Sequence, residues 1–243
     1  MSNHFNDTIE ALATPAGGAI AVIRLSGNQS IGITQRIFSR DLAEVKGGTL
    51  HYGEVKDEQG ATVDDVVVSV YRAPHSYTGE DCVEISCHGS RYIIQRILVL
   101  LQAQGARQAE PGEYTKRAYL NGKLDLSQAE AVADLIASTN AAQHKLAMSQ
   151  LKGGFSKELA KLRERLLKMT SLLELELDFS DHEDLEFADR SELNALAEEI
   201  DHRILSLAES FKAGKVLKSG IPVAIVGKTN VGKSTLLNQL LHE

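Results

Sequence analysis

Residues 81–105, DCVEISCHGSRYIIQRILVLLQAQG, change period in the middle. From Asp81 to Ser90 apolar and polar residues alternate. Val83, Ile85 and Cys87 fall on one side of an extended chain, Cys82, Glu84 and Ser86 on the other. From Ser90 to Gln104 the apolar residues recur at helical spacing, and Gly105 follows as a stop. A strand that hands over to a helix predicts a mixed fold of α and β elements here.

The neighbouring segments repeat the signal. GGAIAVIRLSG (17–27) and DDVVVSVYRA (64–73) read as strands, with HYGEV (51–55) as a weaker one. DEQG (57–60) lies in a turn. After Gly122 the chain becomes helical. Residues 125–154 are rich in Ala, Leu and Gln, open with a capping box of Ser127 and Glu130, and close at Gly153 and Gly154. A second helix carries Leu159, Leu162, Leu166, Met169, Leu173 and Leu177 on one stripe. LELELDF (173–179) alternates like a strand, but the stripe runs into it and predicts helix. A third helix spans roughly 190–213.

Composition sets outer limits. The chain has 243 residues, 43% hydrophobic and 24% charged, with a net charge of −7. Those proportions fit a soluble globular protein and argue against a surface coated with positive charge for nucleic acid. No apolar run approaches the ~18 residues of a membrane span. The N-terminus has neither an apolar core nor an Arg-rich transit character, so a cytoplasmic protein without membrane attachment is expected. Cys82 and Cys87 sit on opposite faces of one strand and are expected as buried small residues, not a disulfide.

Near the end, GKTNVGKS (227–234) fits the phosphate-loop pattern, with IPVAIV as a strand before it and STLLNQLL as a helix after it. Gly227 and Gly232 let backbone N–H groups converge on a phosphate. Lys233 brings its charge to the β- and γ-phosphates, and Ser234 offers a hydroxyl to magnesium. The helix dipole adds to the attraction. The switch threonine, D-x-x-G and N-K-x-D elements of a GTPase do not follow. Residues that catalyse hydrolysis are therefore expected beyond Glu243, and the chain reads as a fragment of a longer protein.

Arg24 lies in a strand of almost wholly apolar neighbours and needs an acceptor or anion there. Two readings stand side by side. Arg24 and Glu84 form an internal ion pair with Lys123 in solvent, or Glu84 turns into a pocket and accepts paired N–H donors of a ligand in bidentate fashion. Other features carry less. Seven acidic residues over 174–186 read as a solvated helix end. Lys157, Lys161, Arg163, Arg165 and Lys168 form a basic stretch that either touches nucleic-acid phosphates or makes a solvated face. His88 is expected to be structural, and the eight histidines show no ligand spacing.

ATPAGGAIAVIRLSG (13–27), SYTGEDCVEISCHG (76–89) and PGEYTKRAYLNGKLDLSQAEAVADLI (111–136), together with the place of the phosphate loop, closely resemble the MnmE (TrmE) family of tRNA modification GTPases. The resemblance implies a definite organisation. An α+β folate-binding and dimerisation domain would occupy 1–122, the first part of a helical domain 123–219, and the start of an α/β P-loop GTPase domain 220–243. It also implies a function: with the flavoprotein MnmG, in a heterotetramer, such proteins add a (carboxymethyl)aminomethyl group at C5 of the wobble uridine of certain tRNAs.

The one-carbon donor implied is a tetrahydrofolate derivative, 5-formyl- or 5,10-methylene-tetrahydrofolate, at Arg24, Glu84 and Lys123. GTP would be held by Asn230, Val231, Gly232, Lys233, Ser234 and Thr235, with Asn230 on potassium and Ser234 on magnesium. Two rival expectations remain open: another P-loop GTPase of the ribosome-assembly type with an N-terminal docking module, or a non-catalytic dimerisation fragment.

Overall fold

The computed structural model describes residues 6–178, 190–219, 224–228 and 231–241. The chain divides into two units, residues 1–137 with 150–156, and residues 138–149 with 157–243.

The first unit is built on one six-stranded sheet: β1 (Ile9–Leu12), β2 (Ile20–Ser26), β3 (Thr49–Lys56), β4 (Thr62–Tyr71), β5 (Cys82–His88) and β6 (Arg107–Gln108). Its order is β3-β4-β5-β2-β1-β6. Every neighbouring pair is antiparallel except β1 and β6. The strands expected over 17–27 and 81–90 are present with trimmed ends, and the one expected over 64–73 is shifted two residues earlier, to 62–71. The weaker one over 51–55 becomes the eight-residue β3, because the 57–60 turn folds it back on β4. There Asp57 accepts hydrogen bonds from the N–H groups of Gln59 and Ala61 at 3.0 and 2.9 Å.

One face of the sheet is dry. Ala21, Ile23 and Leu25 of β2, Val66, Val68 and Val70 of β4, and Val83, Ile85 and Cys87 of β5 are buried. They join a cluster with α1 (Ser30–Ile37) and α2 (Arg91–Ala103), which supply Ile33, Ile37, Ile97 and Leu101. Each such aliphatic side chain contributes about 1.5–3 kcal/mol through its removal from water. α2 stops where its sequence says it should. The N–H of Gly105 donates to Gln102 O at 3.0 Å and that of Ala106 to Leu101 O at 3.1 Å, which satisfies the last carbonyls. Both cysteines are free and buried, and burial with the nearby Asp64 charge pushes the Cys87 thiol up to about 11.

The opposite face carries polar residues in rows set by the register. Leu50, Ser69, Glu84, Arg24 and Ala11 lie side by side across β3, β4, β5, β2 and β1. α3 (Glu113–Leu120) and α4 (Leu126–Ala137) complete this unit.

The helical segment departs from expectation in two places. The capping box at its start is Asp125 with Gln128, not Ser127 with Glu130. Asp125 Oδ1 accepts from the Gln128 N–H at 2.8 Å, and Gln128 Oε1 accepts from the Asp125 N–H at 2.9 Å. The Asp125–Gln128 pair, two residues upstream of the expected one, satisfies these N–H groups, so the helix begins earlier. The single helix expected over 125–154 is also broken. A second cap, with Asn140 Oδ1 accepting from the Gln143 N–H at 2.9 Å, restarts it as α5 (Ala141–Leu151).

The second unit contains most of α5 and of α6 (Gly154–Asp178), then α7 (Arg190–Ser219) and α8 (Lys233–Leu241). α6 continues as helix through the alternating residues 173–178. α7 runs past the expected end near 213 to Ser219, so Gly214 is carried inside the helix and not used as a stop. Glu158 and Arg165 of α6 pair with Arg203 and Glu199 of α7. Of the strand expected before the phosphate loop, 221–226, residues 221–223 lie outside the described residues, and 224–226 are exposed and form no ladder. An extended segment becomes a strand only beside a partner strand. Most of the acidic run, residues 179–186, lies outside the described residues.

Candidate functional site

Arg24 and Glu84 are direct partners in the β2–β5 register. Arg24 Nε donates to Glu84 Oε1 at 2.8 Å, and Arg24 Nη2 lies 2.7 Å from the same carboxylate oxygen. The two side chains are 30% and 24% exposed, so the pair is half in solvent. Among the described residues no donor reaches Glu84 Oε2 and no acceptor reaches Arg24 Nη1. The pair therefore keeps one acceptor and one donor in hand. That arrangement matches the edge of a heterocycle bearing N–H groups beside a carbonyl.

Two phenol rings flank the guanidinium, Tyr77 at 5.6 Å and Tyr114 at 5.7 Å from ring centre to Arg24 Cζ. At these distances a cation is attracted to the negative faces of the rings. Tyr114, on α3, is half-buried and donates its hydroxyl to Arg24 O at 2.6 Å. Burial holds its phenol proton well above the ordinary range. Tyr77 belongs to the loop 72–81 between β4 and β5 and is 39% exposed.

A buried ionic cluster ties together the elements that carry both rings. Arg117, fully buried on α3, donates to Asp7 Oδ1 at 2.7 Å, to Glu113 Oε1 at 3.0 Å and to Glu80 Oε2 at 3.3 Å. Arg107 binds Glu113 from the other side at 2.7 Å. The Arg107 guanidinium, against an opposing push from burial and with further help from Arg117, brings the Glu113 carboxyl down to about 2. Glu80 in turn accepts from Ser26 Oγ at 2.7 Å, and Ser26 contacts Thr78 Oγ1 at 2.7 Å. The loop is thus tied to the strand that carries Arg24.

Lys123 is placed differently. Its Nζ donates to Pro74 O at 3.1 Å, so it holds the 72–81 loop and makes no hydrogen bond to Arg24 or Glu84. Gly79 makes room for it. A Cβ there would lie 3.1 Å from Lys123 Cγ and 3.3 Å from Asn121 Cβ, and the glycine φ of +80° disfavours any side chain. The family resemblance pointed to Arg24, Glu84 and Lys123; the sequence reading missed Tyr77, Tyr114 and Arg117. The signal available for them was the density of Tyr, Thr and charge in SYTGED and GEYTKRAY.

At the phosphate loop, Gly232 has a φ of +85° and α8 begins at Lys233. Lys233 Nζ folds back onto Gly227 O and Lys228 O at 3.0 and 2.6 Å, spanning the loop. Val231, Ser234 and Thr235 are exposed around it, while Asn230 lies outside the described residues. A lysine on loop carbonyls is free to exchange them for phosphate oxygens.

Elsewhere, His88 Nδ1 meets Asp64 Oδ1 at 2.7 Å, and the His88 N–H donates to Asp64 Oδ2 at 2.8 Å, which closes the end of β5. Of the basic stretch, Arg165 is engaged by Glu199 and Lys161 contacts Glu158. Among the described residues no group of three or more potential metal ligands is found, and no helix is long and apolar enough to cross a membrane.

Comparison with known proteins adds two family matches and a set of relatives. Residues 8–123 match the family described as GTP-binding protein TrmE N-terminus, and residues 126–233 match the MnmE helical domain. The tRNA modification GTPase MnmE of Parabacteroides distasonis is 60% identical over 242 residues, covering 97% of this chain and 52% of that protein. Its counterpart in Bacteroides fragilis is 60% identical, covering 98% and 52%, and that of Flavobacterium johnsoniae 58%, covering 98% and 52%. The chain spans about half the length of these curated relatives.

Proposed function

We propose a function from one premise: this chain belongs to the MnmE family of tRNA modification GTPases. On that premise residues 1–122 are a folate-binding and dimerisation domain, 123–219 the first part of a helical domain, and 220–243 the opening of a G domain. The protein they belong to modifies tRNA in the cytoplasm, working as a homodimer with the flavoprotein MnmG.

The observation that carries the folate reading is the Arg24–Glu84 pair with its spare acceptor and donor. A reduced folate bound there would supply the one-carbon unit for C5 of the wobble uridine. Glu84 Oε2 accepts from the ring N–H and amino groups, and Arg24 Nη1 donates to the ring carbonyl. Tyr114 pins the Arg24 main chain, and Arg117 fixes α3 and the 72–81 loop around it. Lys123 lies near enough to the loop to meet a carboxylate of the ligand by leaving Pro74 O. The two sequence readings of Arg24 and Glu84 are then one: the ion pair is the ligand-free state of the binding pair.

At the phosphate loop, Lys233 would leave Gly227 O and Lys228 O for the phosphates of GTP. Ser234 offers its hydroxyl to magnesium, and Asn230 is assigned to potassium by the family pattern. Val231, Gly232 and Thr235 contribute the surrounding backbone and first helical turn.

Titration calorimetry with 5-formyltetrahydrofolate tests the central assignment. Saturable heat from the folded 243-residue chain supports it. A folded chain that gives none, by itself and at concentrations where it is dimeric, rejects it.

A further inference from the structure

We infer that Tyr77 is the specificity-determining wall of this site, its ring covering the face of a planar nitrogen heterocycle whose edge is held by Arg24 and Glu84. This rests on the folate reading above and adds the face by which the ring is recognised.

The two tyrosines beside Arg24 are not equivalent. Tyr114 is pinned from behind by its hydroxyl on Arg24 O. Tyr77 stands on the solvent side, 39% exposed, so a ligand that reaches Glu84 passes its ring. The Tyr77 hydroxyl is already engaged with Thr115 Oγ1 at 2.9 Å. With its hydroxyl held by Thr115, Tyr77 presents its aromatic face toward Arg24. A heterocycle hydrogen-bonded edge-on to Glu84 Oε2 and Arg24 Nη1 continues the guanidinium plane, and it would then lie under the same ring that already covers Arg24. Aromatic faces favour such offset contacts at centre separations of ~4.5–7 Å.

The wall is also fixed before anything binds. Ser76 Oγ donates to Glu80 O, Asn121 Nδ2 donates to Thr78 O at 2.8 Å, and Lys123 Nζ donates to Pro74 O at 3.1 Å, all within the loop that carries Tyr77. A wall already held in place loses little conformational freedom when a ligand arrives. This gives Lys123 a second role as an anchor of the loop.

The chain contains no tryptophan, so Tyr77→Trp creates a single indole reporter at the wall. Titrating this variant with 5-formyltetrahydrofolate should quench its emission, saturating where calorimetry on the same variant saturates. Tyr77→Phe, which keeps the face, should bind within about twofold of the parent, whereas Tyr77→Leu should weaken binding about tenfold, the scale of one stacking contact. The bare ring pterin-6-carboxylate should lose by the same factor as the whole folate in Tyr77→Leu. Parent binding with unchanged affinity in Tyr77→Leu, or a loss confined to the whole folate, overturns the wall and leaves the folate reading standing. Absence of binding by the folded parent overturns both. Circular dichroism on each variant confirms the fold.

Discussion

Arg24 and Glu84 face each other across antiparallel strands, and two guanidinium nitrogens, Nε and Nη2, converge on one carboxylate oxygen at 2.8 and 2.7 Å. A structural ion pair optimised for stability would use both oxygens, since the bidentate fork is the stronger geometry. Here the second oxygen is kept back. Because the pair is partly exposed, its worth to the fold is about 1 kcal/mol or less, so its substitution separates binding from folding. Glu84→Gln should lower affinity for 5-formyltetrahydrofolate at least tenfold while shifting the thermal midpoint by only a few degrees. Calorimetry and a melt on the same preparation check both halves.

Arg117 behaves oppositely. It is wholly buried among Asp7, Glu80 and Glu113, and Arg117→Met leaves carboxylates without their partner. Breaking a buried ionic cluster in this way costs about 3–5 kcal/mol. Urea unfolding should show a large drop in the midpoint of the first unit, with Tyr114 and the 72–81 loop released together.

Acid should expose the same cluster. The Glu113 carboxyl is held down to about 2 chiefly by Arg107, below its ordinary value near 4.5. A depressed pKa contributes stability in full above the unfolded value and loses it as pH falls from about 4.5 toward 2. Melts between pH 6 and 2.5 should therefore fall steeply in the parent, and less steeply in Glu113→Gln, which starts from a lower stability.

Glu10 carries the reverse sign. It lies 1% exposed on β1 with Oε1 accepting from Gln102 Nε2 at 2.7 Å and Oε2 without a partner among the described residues. Burial raises its pKa, with the Gln102 hydrogen bond opposing. The fold thus favours the protonated acid, and its contribution is present below the ordinary value and lost as pH rises through the raised one. Glu10→Gln should gain on the parent steadily as pH goes from 5 to 8. Parallel pH melts that stay superimposed would rule this out.

Lys233→Ala should remove GTP binding, measured with a fluorescent analogue on the protein carrying its complete G domain, and leave folate binding unchanged. Loss of both in a folded variant would show that the two sites are not independent.

Local order was readable from the sequence because it is set by near neighbours. The switch from period two to helical spacing at Ser90, the stop at Gly105 and the turn at Asp57–Gly60 all follow from contacts within a few residues. The helical assignment of 173–178 held because the apolar stripe of α6 outweighs a short alternation. What failed locally was the choice between equivalent signals. Two candidate capping boxes stand within three residues of each other, and Asp125 with Gln128 won. The third helix, expected to end near 213, continues through Gly214 to Ser219.

The sequence by itself determined which faces of β2 and β5 are dry, because side chains alternate along an extended chain and Val83 and Ile85 leave Glu84 no choice of side. It also determined that a lone arginine among apolar neighbours must find an acceptor. Only the tertiary structure decided which one. Arg24 and Glu84 are 60 residues apart in sequence, and the register that sets them opposite depends on strands pairing over their whole length. β1, with four residues, and β6, with two, exist only because that sheet offers them an edge. Tyr77 and Tyr114 reach one guanidinium from a loop and a helix 37 positions apart, brought together by the buried charges around Arg117. Alternation is a property of each strand alone, whereas a site of this kind is a property of the distances between elements.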